Sequence, residues 1–168
     1  MTSDLPASFY HTGIVVPDLE KAVARFSDIH GIEFTEPLLY EVPLVEDPEP
    51  HPLEVASVMS RTEPPYYELI QANGDGIFSL ANSGQILYHG VWETDMSVRL
   101  DRLRRHGIGI DATFRLDPSS LPNAVFTEPF LEGTRIEYVD VSTGQSCSSG
   151  SVRASRPYDI SRPYLLRP

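Results

Sequence analysis

Two histidines and two glutamates occupy corresponding places in the two halves of this 168-residue chain. His11 lies in "FYHTGIVV" and His89 in "ILYHGVWETD", while Glu68 lies in "YYELIQA" and Glu137 in "TRIEYVDVS". All four stretches are rich in β-branched and aromatic residues and read as strands, where an ionised carboxylate is costly to bury without a partner. Strand side chains alternate between faces. His11 therefore shares a face with Phe9 and Gly13, Glu68 with Tyr66 and Ile70, His89 with Leu87 and Val91, and Glu137 with Arg135 and Val139. If the sheets of the two halves curl toward each other, two imidazoles and two carboxylates meet. That donor set suits one borderline or hard divalent ion per chain (Zn, Ni, Co, Mn or Mg) and leaves positions for water or substrate oxygens.

The elements that must carry these residues form a repeat. "FYHTGIVV" reads as a strand closed by Pro17, and Asp18 is an N-cap for the helix "LEKAVARFSDIHG", whose Leu19, Val23 and Phe26 lie at helical spacing. Strands "IEFTEPLLYEV", "LEVASVMSR" and "YYELIQA" follow, with the proline-rich, acidic "PLVEDPEPHP" between the first two expected to be a loop. The order then recurs: strand "ILYHGVWETD" to the cap Asp95, helix "MSVRLDRLRRHG" with apolar Val98, Leu100 and Leu103, then "IGIDATFRL", "NAVFTEPFL" and "TRIEYVDVS". The expected architecture is α+β: two βαβββ modules, residues 8–75 and 76–143, in one structural domain whose curled mixed sheet makes a half-barrel. Residues 1–7 form an extension, and the Ser-, Arg- and Pro-rich stretch 144–168 reads as an extended arm or disordered tail.

Composition narrows the function. A formal charge of −11 argues against nucleic acid or an anionic membrane surface as partner. Arg99, Arg102, Arg104 and Arg105 share one expected helix and read as a solvated basic face near its C-terminus. His30 and His106 fall at expected helix C-termini, and His51 falls in the acidic loop. Cys147 is the sole cysteine, which speaks against a disulfide or a thiolate cluster. The opening residues lack the features of a secretory signal and no apolar run is long enough for a membrane span, so the expected location is cytoplasmic.

"HTGIVVPDLEKAVARF", "YYELI", "YHGVWETDM" and "RIEYVD" resemble the signature strands of the vicinal oxygen chelate superfamily, the glyoxalase/bleomycin resistance/dioxygenase group, over roughly residues 8 to 142. The resemblance implies paired βαβββ modules around a divalent metal, with His11, Glu68, His89 and Glu137 on the family's four ligand positions. "LEVASVMSRTEPPYYELI" and "YHGVWETD" are most similar to the methylmalonyl-CoA epimerase and glyoxalase-like branch, where a glutamate in the strand before the second ligand is a proton-transfer base; Glu54 matches it. "FLEGTRIEYVD" departs from the aspartate-proline-aspartate-glycine signature that many glyoxalases carry before the last ligand.

These resemblances imply a metal-dependent isomerase, epimerase or lyase acting on a small carbonyl or acyl thioester substrate through a metal-stabilised enolate, with Glu54 and Glu137 moving the proton. A homodimer is expected, as is common for paired-module proteins. Two other functions compete. A ring-cleaving Fe(II) dioxygenase needs two imidazoles and one carboxylate on its metal. A metal-free small-molecule binding or resistance protein keeps the cavity and loses the ligands.

Overall fold

The computed structural model describes residues 8–130 and 133–141; the expected N-terminal extension, the C-terminal arm and Cys147 lie outside them. Eight strands and two helices follow the repeat: β1 (Ser8–Val16), α1 (Leu19–His30), β2 (Leu38–Glu46), β3 (Pro50–Met59), β4 (Tyr66–Gln71), β5 (Ile86–Glu93), α2 (Met96–Arg105), β6 (Ile110–Arg115), β7 (Ala124–Thr127) and β8 (Arg135–Asp140). The strands close into a mixed barrel in the order β1-β4-β3-β2-β6-β7-β8-β5.

The barrel is closed, where a half-barrel was expected. Two seams join the halves. At one, β1 runs antiparallel to β5 along most of its length. At the other, β2 meets β6 through only three register pairs, Leu44↔Arg115, Val45↔Phe114 and Glu46↔Thr113. Here Glu46 accepts from the Thr113 hydroxyl at 2.7 Å and from Arg115 at 3.1 Å, which ties the short seam with side chains as well as backbone. The remainder of β2, residues 38–43, has β3 as its only strand neighbour among the described residues.

The proline-rich stretch is not the loop its composition suggested. β2 continues to Glu46 and β3 begins at Pro50, so the loop shrinks to the hairpin tip 47–49. The register shifts between Val42 and Val45, placing Pro43 and Leu44 opposite Pro52 in a bulge, where a missing N–H interrupts no ladder bond. Buried Asp47 anchors the tip by accepting from the Ile77 backbone N–H at 2.7 Å.

Each helix covers the outside of its own half. Asp18 caps α1 by accepting from the Lys21 N–H, Gly31 ends it in the left-handed region, and Leu19, Val23 and Phe26 pack over Val16, Val58 and Leu69. Asp95 caps α2, and Met96 and Leu103 pack over Val91, Val125 and Tyr138. Val98, expected on the apolar side, is exposed. Arg99 is no solvated face residue: it pairs with buried Glu93 at 2.6 Å and lies 4.4 Å from the centre of the Tyr138 ring. Inside the barrel, Val15, Val45, Ile70, Phe78, Phe114 and Phe126 belong to a continuous apolar core. No helix among the described residues is long and apolar enough to cross a membrane.

Candidate functional site

Within the barrel the apolar core gives way to a polar layer built on the β1–β5 seam. Its frame is a local twofold. His11 on β1 stands opposite Gly90 on β5, and Tyr88 on β5 stands opposite Gly13 on β1. Each ring lies over the glycine of the other strand: a Cβ at Gly90 would overlap the His11 imidazole, and one at Gly13 would overlap the Tyr88 ring. The flanking parallel strands complete the symmetry, since β4 places Glu68 beside Gly13 and β8 places Glu137 beside Gly90. His11, Gly13 and Glu68 therefore correspond to Tyr88, Gly90 and Glu137.

The carboxylates converge on one imidazole nitrogen. His11 Nε2 lies 3.1 Å from Glu68 Oε2 and 3.0 Å from Glu137 Oε2. His11 Nδ1 and Nε2 and Glu137 Oε2 make no directed hydrogen bond, so the ring is held chiefly by charge and packing. Tyr88 breaks the symmetry by donating its hydroxyl to Glu68 Oε2 at 2.7 Å. Side-chain exposure is 3% for His11 but 14% for Glu68 and 11% for Glu137, so the carboxylates face what solvent reaches the layer.

Electrostatics separates the two carboxylates. Burial raises the Glu137 carboxyl, and with the charge of Glu68 it outweighs the opposing contacts to His11, leaving the group above its ordinary value. Burial would raise Glu68 as well, but the contacts to His11, Tyr88 and Ser57 outweigh it and hold this carboxyl below the ordinary value. Burial works against the charged form of His11, yet Glu137 and Glu68 together push it up to about 9, so the ring is an imidazolium at neutral pH. The Tyr88, Tyr10 and Tyr40 phenols are all raised, first by burial and then by the carboxylates, and stay protonated. Tyr10 stacks on Trp92 with ring centres 4.0 Å apart, and Tyr40 comes from the part of β2 that β6 leaves unpaired.

Of the sequence-derived residues, His11, Glu68 and Glu137 come together and two others do not. His89 is one position out of phase. Its ring lies on the outer face, with Nδ1 3.4 Å from the Thr12 hydroxyl, in an open hollow of about 230 Å³ lined by Phe9, Val91 and Ile136. Tyr88 takes the inward place. Glu54 is exposed on the outer face opposite Glu41, because its neighbours Leu53 and Val55 fill the barrel side of β3. Tyr10, Tyr40, Tyr88 and Ser57 were missed. For Tyr88 a signal existed: "HTG" and "YHG" both carry a ring two residues before a glycine, and His11 and Tyr88 each precede their helix cap, Asp18 and Asp95, by seven residues.

The four-ligand metal site expected from the sequence does not fit this arrangement. One imidazole faces the barrel interior instead of two, its Nε2 already lies between the carboxylates, and a phenol fills the fourth place. Among the described residues no group of three or more His, Cys, Asp or Glu side chains is disposed to hold a metal ion. The two-imidazole set of a ring-cleaving dioxygenase is likewise not assembled here.

Comparison with known proteins agrees with the fold. The family model described as Glyoxalase/Bleomycin resistance protein/Dioxygenase superfamily matches residues 10–116. A hypothetical protein from Bacillus halodurans C-125 superposes with a TM-score of 0.57 at 11% identity, covering 90% of this chain and 100% of that one. Methylmalonyl-CoA epimerase from Mycobacterium tuberculosis gives 0.51 at 19% identity, with 83% and 92% covered. A methylmalonyl-CoA epimerase in complex with methylmalonyl-CoA and NH4+ gives 0.53 at 17%, with 80% and 94% covered. No curated protein matches the chain.

Proposed function

Because this chain belongs to the glyoxalase/bleomycin resistance protein/dioxygenase superfamily, we propose that its polar layer is an isomerase or epimerase site, moving a proton at a carbon next to a carbonyl. The observation that carries this reading is that Glu137 and Glu68 converge on one imidazole while the Tyr88 hydroxyl reaches Glu68 alone, so the two carboxyls sit in unequal surroundings. Two carboxyls with pKa values pushed apart are the arrangement that acid–base chemistry needs.

Glu137 is the base in this scheme. Buried and raised, it takes the substrate's α-proton on Oε2. The enolate oxygen accepts a hydrogen bond from His11, whose positive charge opposes the charge that develops there. In an isomerisation Glu137 returns the proton to the neighbouring atom. In an epimerisation the enolate turns its other face to Glu137 before the same carboxyl returns the proton, which leaves Glu137 ionised again for the next turnover. Substrate enters beside Tyr40, where β2 has no partner on the β6 side.

A carbonyl compound or acyl thioester with an acidic α-hydrogen is the substrate class that suits this chemistry, and a 2-methyl-branched acyl thioester is the first to try. The same reading takes the protein as a cytoplasmic homodimer acting on a small molecule, with neither nucleic acid nor membrane as partner. Solvent deuterium incorporation at the α-carbon, followed by mass spectrometry, tests it. A second reading, a small-molecule binding protein, is favoured by the departure from the expected ligand set; it predicts saturable binding with no exchange.

A further inference from the structure

We infer that this barrel works without a divalent cation, and that Tyr88 is the residue that denies it one. The local twofold supplies the argument. A site built symmetrically on β1 and β5 would place two identical rings over Gly90 and Gly13, each beside one carboxylate. Here the two places hold different chemistry: an imidazole on β1 and a phenol on β5.

The phenol is not poised to act as a ligand in its place. Its hydroxyl proton is committed to Glu68 Oε2 at 2.7 Å, and that oxygen also lies 3.1 Å from His11 Nε2. A cation bound by Glu68 would have to displace a donor from the oxygen it needs. On the other side, His11 Nε2 stands 3.1 and 3.0 Å from the two carboxylates and is the single imidazole nitrogen between them. The remaining imidazole of this region, His89, cannot reach inward, because Gly90 and Tyr88 on either side of it face the barrel.

The inference deepens the isomerase reading, but it is read out by ion content alone, so failure of either leaves the other standing. The full chain, purified without chelators or a histidine tag, is loaded with Zn²⁺, Co²⁺, Ni²⁺ or Mn²⁺, desalted and analysed for metal, alongside Tyr88→His and Tyr88→Phe. The native protein and Tyr88→Phe are expected to retain no stoichiometric ion. Tyr88→His, which places a second imidazole at the position related to His11, is expected to retain one ion per chain, to bind Co²⁺ ~100-fold more tightly than the native protein, and to melt at higher temperature with the ion than without it. One ion per native chain that is lost in Glu68→Gln would overturn the inference. A folded Tyr88→His protein that stayed empty would overturn the part given to Tyr88. Should that variant fail to fold, the ion content of the native and Tyr88→Phe proteins decides alone.

Discussion

His11 and Tyr88 meet on a single atom: Glu68 Oε2 accepts from the Tyr88 hydroxyl at 2.7 Å and lies 3.1 Å from His11 Nε2. They come from symmetry-related positions on adjacent strands, yet both serve the same carboxylate. Glu137 is left with His11 alone, and the opposite pKa shifts of the two glutamates follow from that inequality.

Tyr88→Phe removes the hydroxyl and keeps the ring over Gly13. The buried Glu68 carboxylate then loses a hydrogen bond, an effect of about 1–3 kcal/mol. Lower stability in urea unfolding is expected, together with a rise in the Glu68 pKa visible by carboxyl NMR. An unchanged Glu68 titration would show that the hydroxyl does not set it.

Gly13→Ala and Gly90→Ala insert a methyl group where a ring now lies. Each is expected to destabilise by about 1–3 kcal/mol or more, since overpacking displaces Tyr88 or His11. Pairing Gly13→Ala with Tyr88→Ala should recover part of the loss, because the second change clears the space. A double variant no better than the sum of the singles would contradict the packing described.

The pH dependence follows from the signs of the shifts. His11 rises from an ordinary 6.5 to about 9, so the stability it contributes is fully present below 6.5 and is lost as pH rises through 9. The raised Glu137 acts in the same direction, whereas the lowered Glu68 contributes stability that is lost as pH falls below the ordinary carboxyl range. Thermal melts should therefore decline between pH 6.5 and 9, by roughly 2–4 kcal/mol for the His11 contribution. His11→Gln should flatten this decline. An equally steep decline in that variant would place its origin elsewhere.

Much of the fold was legible because both halves repeat a capped helix after a strand: Asp18 and Asp95 begin α1 and α2, and Leu19, Val23 and Leu103 pack where their spacing puts them. The bulge was not legible. Composition made Pro43 and Pro52 look like loop residues, whereas they face each other where the ladder already skips a bond. At the site, strand parity brought His11, Glu68 and Glu137 to one face but put His89 there as well. Matching histidine to histidine shifted the second half by one residue, and one residue reverses a strand's faces. Aligning Gly13 with Gly90 would have selected Tyr88. The outward turn of Glu54 was fixed by Leu53 and Val55, whose burial in the barrel leaves it only the other face.

The claim that Glu137 moves the substrate proton is tested most directly by solvent deuterium exchange at the α-carbon of a 2-methyl-branched acyl thioester, comparing native protein, Glu137→Gln and Glu54→Gln. Exchange should fall by roughly 10²- to 10⁴-fold in Glu137→Gln and remain at the native rate in Glu54→Gln, whose carboxylate lies outside the barrel. Native exchange in Glu137→Gln, or its loss in Glu54→Gln, would contradict the account.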